Sequence, residues 1–281
     1  MSLLPLSDQE TRVILTDAAA AGQLADEARR QGLVVSSGLR GVHHWVSWQG
    51  QAPLPLPSGA ECFRLRAERP RLDRPGLLLM DMDSTAIAIE CIDEIARAGG
   101  VFDEVSRVTE AAMRGELGFE ESLRQRVAKL DGIPASVLDE IAASLPLNPG
   151  LEPLVQGLKQ AGWKVALASG GFNRIASKLA AQLELDHFQA NDLEEAGGLL
   201  TGRVSGEIVG AEVKAAILAQ LGERYGIPPD QWVAAGDGAN DLPMMSRAAL
   251  GVGFRAKPAV AAEADAHLAT LGLDAILALL I

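Results

Sequence analysis

Four short apolar runs constrain this chain most: "GLLLMD" at 76–81, "WKVALAS" at 163–169, "WVAAGD" at 232–237 and "LGVGF" at 250–254. None shows the polar alternation of a strand with one wet face. Continuous runs of this length suit strands of a parallel sheet, where crossover helices cover both faces. The stretches between them supply such helices: "LEPLVQGLKQAG", "FNRIASKLAAQLE" and "AEVKAAILAQLGERYG". The pattern predicts an α/β fold built on a doubly wound, mostly parallel sheet of the Rossmann type. One segment breaks the alternation. Residues 87–147 read as consecutive helices with no strand between them, a helical insertion after the first strand.

The first seventy residues differ. "TRVILT", "LVVSSG" and "VHHWVSW" read as short strands, and "DAAAAGQLADEARRQG" as a helix with Asp17 at its N-cap. This is a small α+β unit. The Pro/Gly-rich "GQAPLPLPSG" and the polar "RAERPRLDRPG" punctuate its end and place a domain boundary near residue 70, giving units 1–70 and 71–281. A length of 281 residues with 48% hydrophobic content is enough for one substantial core, with or without a second, smaller one, which length alone does not separate.

Composition removes several classes of partner. A net charge of −12 and a pI near 4.8 lack the basic footprint needed to bind nucleic acid or an anionic membrane. Cys62 and Cys91 stand in no metal or redox spacing, so a cytoplasmic protein is expected, with Cys91 a small core residue. "MSLLPLSDQETRV" lacks the features of a secretory leader, and the apolar "LATLGLDAILALLI" is interrupted by Asp274.

In open α/β sheets, ligands bind beyond the carboxyl ends of the strands. The first run ends in Asp81 and Asp83, whose spacing of two in an extended chain sends both carboxylates to one side. A solvated turn is the plain alternative. The second ends in "ASGGF", where Ser169, Gly170 and Gly171 precede a helix: a phosphate cradle, or simply an N-cap serine. The third leads into "GDGANDLPM". Asp237, Asn240 and Asp241 there are either Asx-turn residues or hard oxygen ligands of the kind magnesium selects. Lys214, in "AEVKAAIL", is by itself an ordinary surface lysine.

Taken in order, D-x-D-S-T, S-G-G, a lysine and G-D-G-x-N-D resemble the four motifs of the haloacid dehalogenase-like phosphotransferases over residues 75–270. "DMDSTAIAIECIDEIA" and "AAMRGELGFEESLRQRVAKL" are similar to the phosphoserine phosphatases of that superfamily, especially bacterial forms with an extra amino-terminal domain. The resemblance implies hydrolysis of O-phospho-L-serine to serine and phosphate through an aspartyl phosphate, with Asp81 as nucleophile and Asp83 as general acid and base. It also implies Mg²⁺ held by Asp81, the Asp83 backbone carbonyl and Asp237, with Asp241 in support. Lys214, Ser169, Gly170 and Asn240 would serve the phosphoryl group and its surroundings. Charge counting agrees: crowded carboxylates and a phosphate repel by roughly 4 kcal/mol per pair of unit charges at 4 Å with an effective dielectric of 20, so a cation is needed.

The helical insertion should choose the substrate. Phosphoserine carries an ammonium and a carboxylate, and the resemblance assigns Glu90 to the first and Arg126 to the second, with Met113 and Phe119 lining the pocket. Taken singly, Glu90 and Arg126 are also plain helix-face charges. Two rivals stand beside this reading: transfer of the phosphoryl group to another hydroxyl such as homoserine, and an amino-acid sensor working through residues 1–70. A homo-oligomer is compatible with either. Alternation sends His43 and His44 to opposite faces, which disfavours a shared metal, and Trp163 and Trp232 are expected to pack at the sheet edge.

Overall fold

The computed structural model describes residues 9–281; residues 1–8, at the start of the expected amino-terminal unit and of the segment read for a leader, lie outside the described residues. The amino-terminal elements are β1 (Gln9–Leu15), α1 (Ala18–Arg30), β2 (Val35–Arg40), β3 (His43–Gln49) and β4 (Glu61–Arg66), with the strands in the antiparallel order β2-β3-β1-β4. Asp17 caps α1 as expected, its side chain accepting the Ala20 N–H at 3.0 Å. The fourth strand was not foreseen. In "ECFRLR", buried Phe63 and Leu65 alternate with outward Cys62, Arg64 and Arg66, a period-two signal of only two buried positions beside a Pro/Gly tract.

Strand β1 shows why "RVIL" is apolar on both sides. Val13 and Leu15 face α1 with Leu24 and Ala28, while Ile14 joins the main core beside Phe63 and Leu65. Arg12, on the Ile14 side, donates from Nη1 to the carbonyls of Ala278 and Leu280 at 2.7 and 2.8 Å. The small sheet therefore rests on the far end of the chain.

The larger body begins with β5 (Leu77–Met80), followed by four helices of the insertion: α2 (Cys91–Ala98), α3 (Phe102–Met113), α4 (Phe119–Ala128) and α5 (Val137–Ala142). Then come α6 (Leu151–Gln160), β6 (Lys164–Phe172), α7 (Asn173–Gln182), β7 (His187–Ala196), β8 (Leu199–Ser205) and α8 (Ala211–Tyr225). The chain ends with β9 (Trp232–Gly236), α9 (Leu242–Arg247), β10 (Leu250–Phe254), α10 (Pro258–Glu263), β11 (Ala266–Leu268) and α11 (Ile276–Leu279). The strand order is β11-β10-β9-β5-β6-β7-β8, parallel except for the β7–β8 pair. From central β5 the chain winds first toward β6 and then back to β9, so the fold is the expected doubly wound α/β sheet.

Leu78 and Met80 face one covering layer and Leu77 and Leu79 the other, all four 0% exposed. Removing such side chains from water contributes about 1.5–3 kcal/mol each, which is what an unbroken apolar strand at the sheet centre supplies. Hairpin β7–β8 and strand β11 were not anticipated. "HFQANDLEEA" is polar over much of its length because its outer half pairs only with the edge strand β8. Trp163 and Trp232 correct another expectation: they sit at the amino ends of β6 and β9, which flank the centre, and are buried against Gly76 and Gly222 instead of at a lateral edge. Among the described residues, no helix is long and apolar enough to cross a membrane.

Candidate active site

Register brings the motifs together. Met80 pairs with Leu167 of β6 and Ala235 of β9, and the Asp81 N–H continues the ladder to the Ala235 carbonyl at 3.0 Å. Asp81, Ser169 and Asp237 thus leave neighbouring strands at about the same height. They open into a cavity of about 620 Å³ between the sheet and the inserted helices.

Lys214 projects from the first turn of α8 and is 0% exposed, which overturns its surface alternative. Its Nζ lies 2.8 Å from Asp81 Oδ1 and 2.7 Å from Asp241 Oδ1. Burial alone would lower the lysine's pKa, but Asp241 and Asp81 carry it above its ordinary value and keep it charged. Asp81 Oδ1 also accepts the Met82 N–H at 2.7 Å, so Oδ2 is the oxygen with no hydrogen bond among the described residues. Burial pushes the Asp81 carboxyl up against the pull of Lys214.

Asp83 also lines the cavity, and its carboxyl is raised to about 7, first by burial and then by Glu90. Cys91 donates from Sγ to Asp83 Oδ1 at 2.9 Å, so the expected small core residue also touches the site. Burial and the neighbouring Asp241 raise Asp237 to about 6, and its Oδ1 accepts the Thr85 hydroxyl at 3.3 Å. Asp241 closes the "GDGAND" turn by accepting the Gly238 N–H at 3.0 Å. A Cβ on Gly236 would stand 2.3 Å from that carboxylate, so only glycine lets strand and acid approach this closely.

Ser169 belongs to β6 and is not the N-cap of α7, a position held by Phe172. Its Oγ accepts the Gly171 N–H at 2.9 Å. Beside it, the Gly170 carbonyl accepts from Asn191 Nδ2 at 2.8 Å, while Asn191 Oδ1 accepts the Val209 N–H, a clamp the sequence did not signal. Asn240 lines the cavity as well.

The inserted helices contribute the opposite wall. Glu90 and Arg126 both line the cavity, with Arg126 partly buried and Glu90 more open. Met113 stands at the rim, 73% exposed, and Phe119 reaches across to pack on Gly170, where a Cβ would meet its ring at 2.9 Å. Lys257, at the start of α10, also lines the cavity and was not singled out. Asn148, past the end of the insertion, donates from Nδ2 to the carbonyls of Thr85, Ile87 and Ser84 at 2.8, 3.1 and 3.2 Å. It ties the two connections of the insertion together.

Residues 76–249 match the haloacid dehalogenase-like hydrolase family. The chain belongs to that family. A curated phosphoserine phosphatase of Vibrio cholerae serotype O1 is 52% identical over 211 residues, which is 75% of this chain and 64% of that relative. The match thus spans just under two thirds of that protein. An unliganded crystal structure of a probable phosphoserine phosphatase from Vibrio cholerae superposes with a TM-score of 0.79 at 40% identity, covering 100% of this chain and 88% of that one. A structure of a phospho-aspartyl intermediate analogue of phosphoserine phosphatase superposes at 0.70 with 39% identity, covering 74% of this chain and 100% of that one.

For a hydrolase of this family the acids form a consistent metal-binding set. Carboxylate oxygens of Asp81, Asp237 and Asp241 lie within 4.8 Å of one another. Asp81 and Asp237, on the cavity wall, are hard oxygen donors that fit a small divalent cation, with Asp241 in support behind them, its oxygens engaged by Lys214 and the Gly238 N–H.

Proposed function

We propose that this chain is a Mg²⁺-dependent phosphoserine phosphatase that hydrolyses O-phospho-L-serine to L-serine and phosphate. One observation carries the substrate: an acid, Glu90, and a base, Arg126, line the same cavity as Asp81 and Asp83. A zwitterionic amino acid bearing a phosphate needs one partner of each kind, and the relatives described above act as phosphoserine phosphatases by name.

In this reading Asp81 attacks phosphorus through Oδ2 while Lys214 holds Oδ1. The bond from phosphorus to the seryl oxygen breaks as Asp83 delivers its proton to that oxygen. Asp83 then takes a proton from the water that opens the aspartyl phosphate. A carboxyl raised to about 7 by burial and by Glu90 suits both halves of that cycle. Ser169 and the Gly170 N–H hold the phosphoryl oxygens, with Asn240 beside them. Asp81, Asp237 and the Asp83 carbonyl would hold Mg²⁺, which when bound supplies positive charge to the phosphoryl group. Asp241 orients Lys214. Met113 and Phe119 line the pocket. Two unpaired cysteines support a cytoplasmic setting.

Phosphate release from L-phosphoserine, D-phosphoserine, phosphothreonine and sugar phosphates, with Mg²⁺ and with EDTA, tests the reading. Mg²⁺-dependent preference for phosphoserine is the expected result. Preference for a sugar phosphate would overturn the roles of Glu90 and Arg126 while keeping the catalytic core.

A further inference from the structure

We infer that Ser84 is a positioning residue for substrate selection, holding the Glu90 carboxylate where it meets the substrate's ammonium group. The inference rests on the phosphoserine reading above and names a residue to which that reading gives no role.

Ser84 has a φ of 58°, in the left-handed region that a residue with a Cβ rarely adopts. Glycine would occupy this position more easily. A strained residue beside a ligand cavity points to a need for its side chain. Here the hydroxyl donates to Glu90 Oε1 at 2.7 Å.

The loop does not depend on that hydroxyl for its shape. The Ser84 N–H donates to the Ile89 carbonyl at 3.1 Å, and its own carbonyl accepts from Asn148 at 3.2 Å. Glu90, for its part, stands at the N-cap of α2 but makes no capping hydrogen bond with its side chain. Its carboxylate is committed to Ser84 instead. One oxygen is thereby anchored and the other is left for a cationic partner. A glutamate this open to solvent otherwise loses rotamer freedom when it meets a ligand, and anchoring it beforehand removes that cost from binding.

Steady-state kinetics on phosphoserine and p-nitrophenyl phosphate, with Mg²⁺, test the assignment in the parent, Ser84→Gly, Ser84→Ala, Glu90→Ala and Ser84→Gly/Glu90→Ala. Ser84→Gly should raise KM for phosphoserine about fivefold, the effect of one hydrogen bond, with kcat little changed. The preference for phosphoserine over p-nitrophenyl phosphate should fall by a similar factor. Ser84→Ala should show the same KM, and Ser84→Gly should melt no lower than the parent because glycine accepts the backbone angle. In the Glu90→Ala background, Ser84→Gly should change KM less than twofold. Parent-like KM in Ser84→Gly, or an undiminished effect without Glu90, overturns the assignment alone. A parent that does not hydrolyse phosphoserine overturns the functional reading and this inference with it.

Discussion

Lys214 Nζ lies 2.8 Å from Asp81 Oδ1, a contact made wholly inside the protein because the lysine is 0% exposed. The same ammonium lies 2.7 Å from Asp241, so one cation answers two buried carboxylates. Lys214→Met should lower phosphate release by at least ~10³-fold and destabilise the fold by about 3–5 kcal/mol, since it leaves buried charge uncompensated. Steady-state kinetics and urea unfolding in EDTA check the two effects separately.

The free Oδ2 of Asp81 makes a second expectation. Asp81→Asn preserves shape but removes the proposed nucleophile, so turnover should fall by at least ~10³-fold while phosphoserine still binds measurably by calorimetry. A variant that still turns over at a tenth of the parent rate would remove Asp81 from the nucleophile's role.

Opposed charges on the cavity wall predict selectivity. Glu90→Ala and Arg126→Lys should each reduce kcat/KM for phosphoserine about tenfold or more relative to p-nitrophenyl phosphate, which has neither ammonium nor carboxylate. Equal losses on both substrates would contradict the pocket assignment.

Acid titration gives a stability prediction with a definite sign. Asp83 and Asp237 are raised from 3.8 to about 7 and about 6 in the metal-free fold, so the native state binds their protons more tightly than the unfolded chain does. Their contribution is fully present below about pH 4 and is lost as pH rises through 6 and 7. In EDTA, Tm should therefore fall over that interval. Mg²⁺, which prefers the ionised acids, should raise Tm more at pH 7.5 than at pH 5.5. Scanning calorimetry at the two values with and without metal decides it.

Arg12 links the ends of the chain. It is 4% exposed, donates to the carbonyls of Ala278 and Leu280, and stacks 4.3 Å from the Trp45 ring centroid. Arg12→Ala leaves those carbonyls and the Glu10 carboxylate short of a partner, and should cost about 3 kcal/mol in urea unfolding with little effect on KM.

Much of the parallel sheet was legible because its signals are local. An apolar strand that ends in a polar residue reads the same whatever surrounds it, and "GLLLMD", "WKVALAS" and "WVAAGD" each became a strand of the parallel sheet. Strand β4 escaped notice because its burial depends on a partner far along the chain, Phe63 and Leu65 turning inward beside β1, and hairpin β7–β8 because its outer half is polar and pairs only at the sheet edge. Asp274 illustrates the same limit. It reads as an interruption of an apolar tail, yet it is buried with its Oδ1 2.9 Å from His43 Nε2.

The order of residues was enough to indicate the α/β class and the run of helices after the first strand, since each is written in a short window of periodicity, while the candidate acids, serine and lysine stood out only through the resemblance of their motifs, taken together, to a known family. Which groups meet was settled by folding. Burial of Lys214 between Asp81 and Asp241, the Cys91 thiol on Asp83, the Ser84 hydroxyl on Glu90 and the Asn148 amide across both connections all depend on strand register and helix packing. Hydrogen bonds and desolvation act over a few ångströms in space, and no sequence window contains that distance.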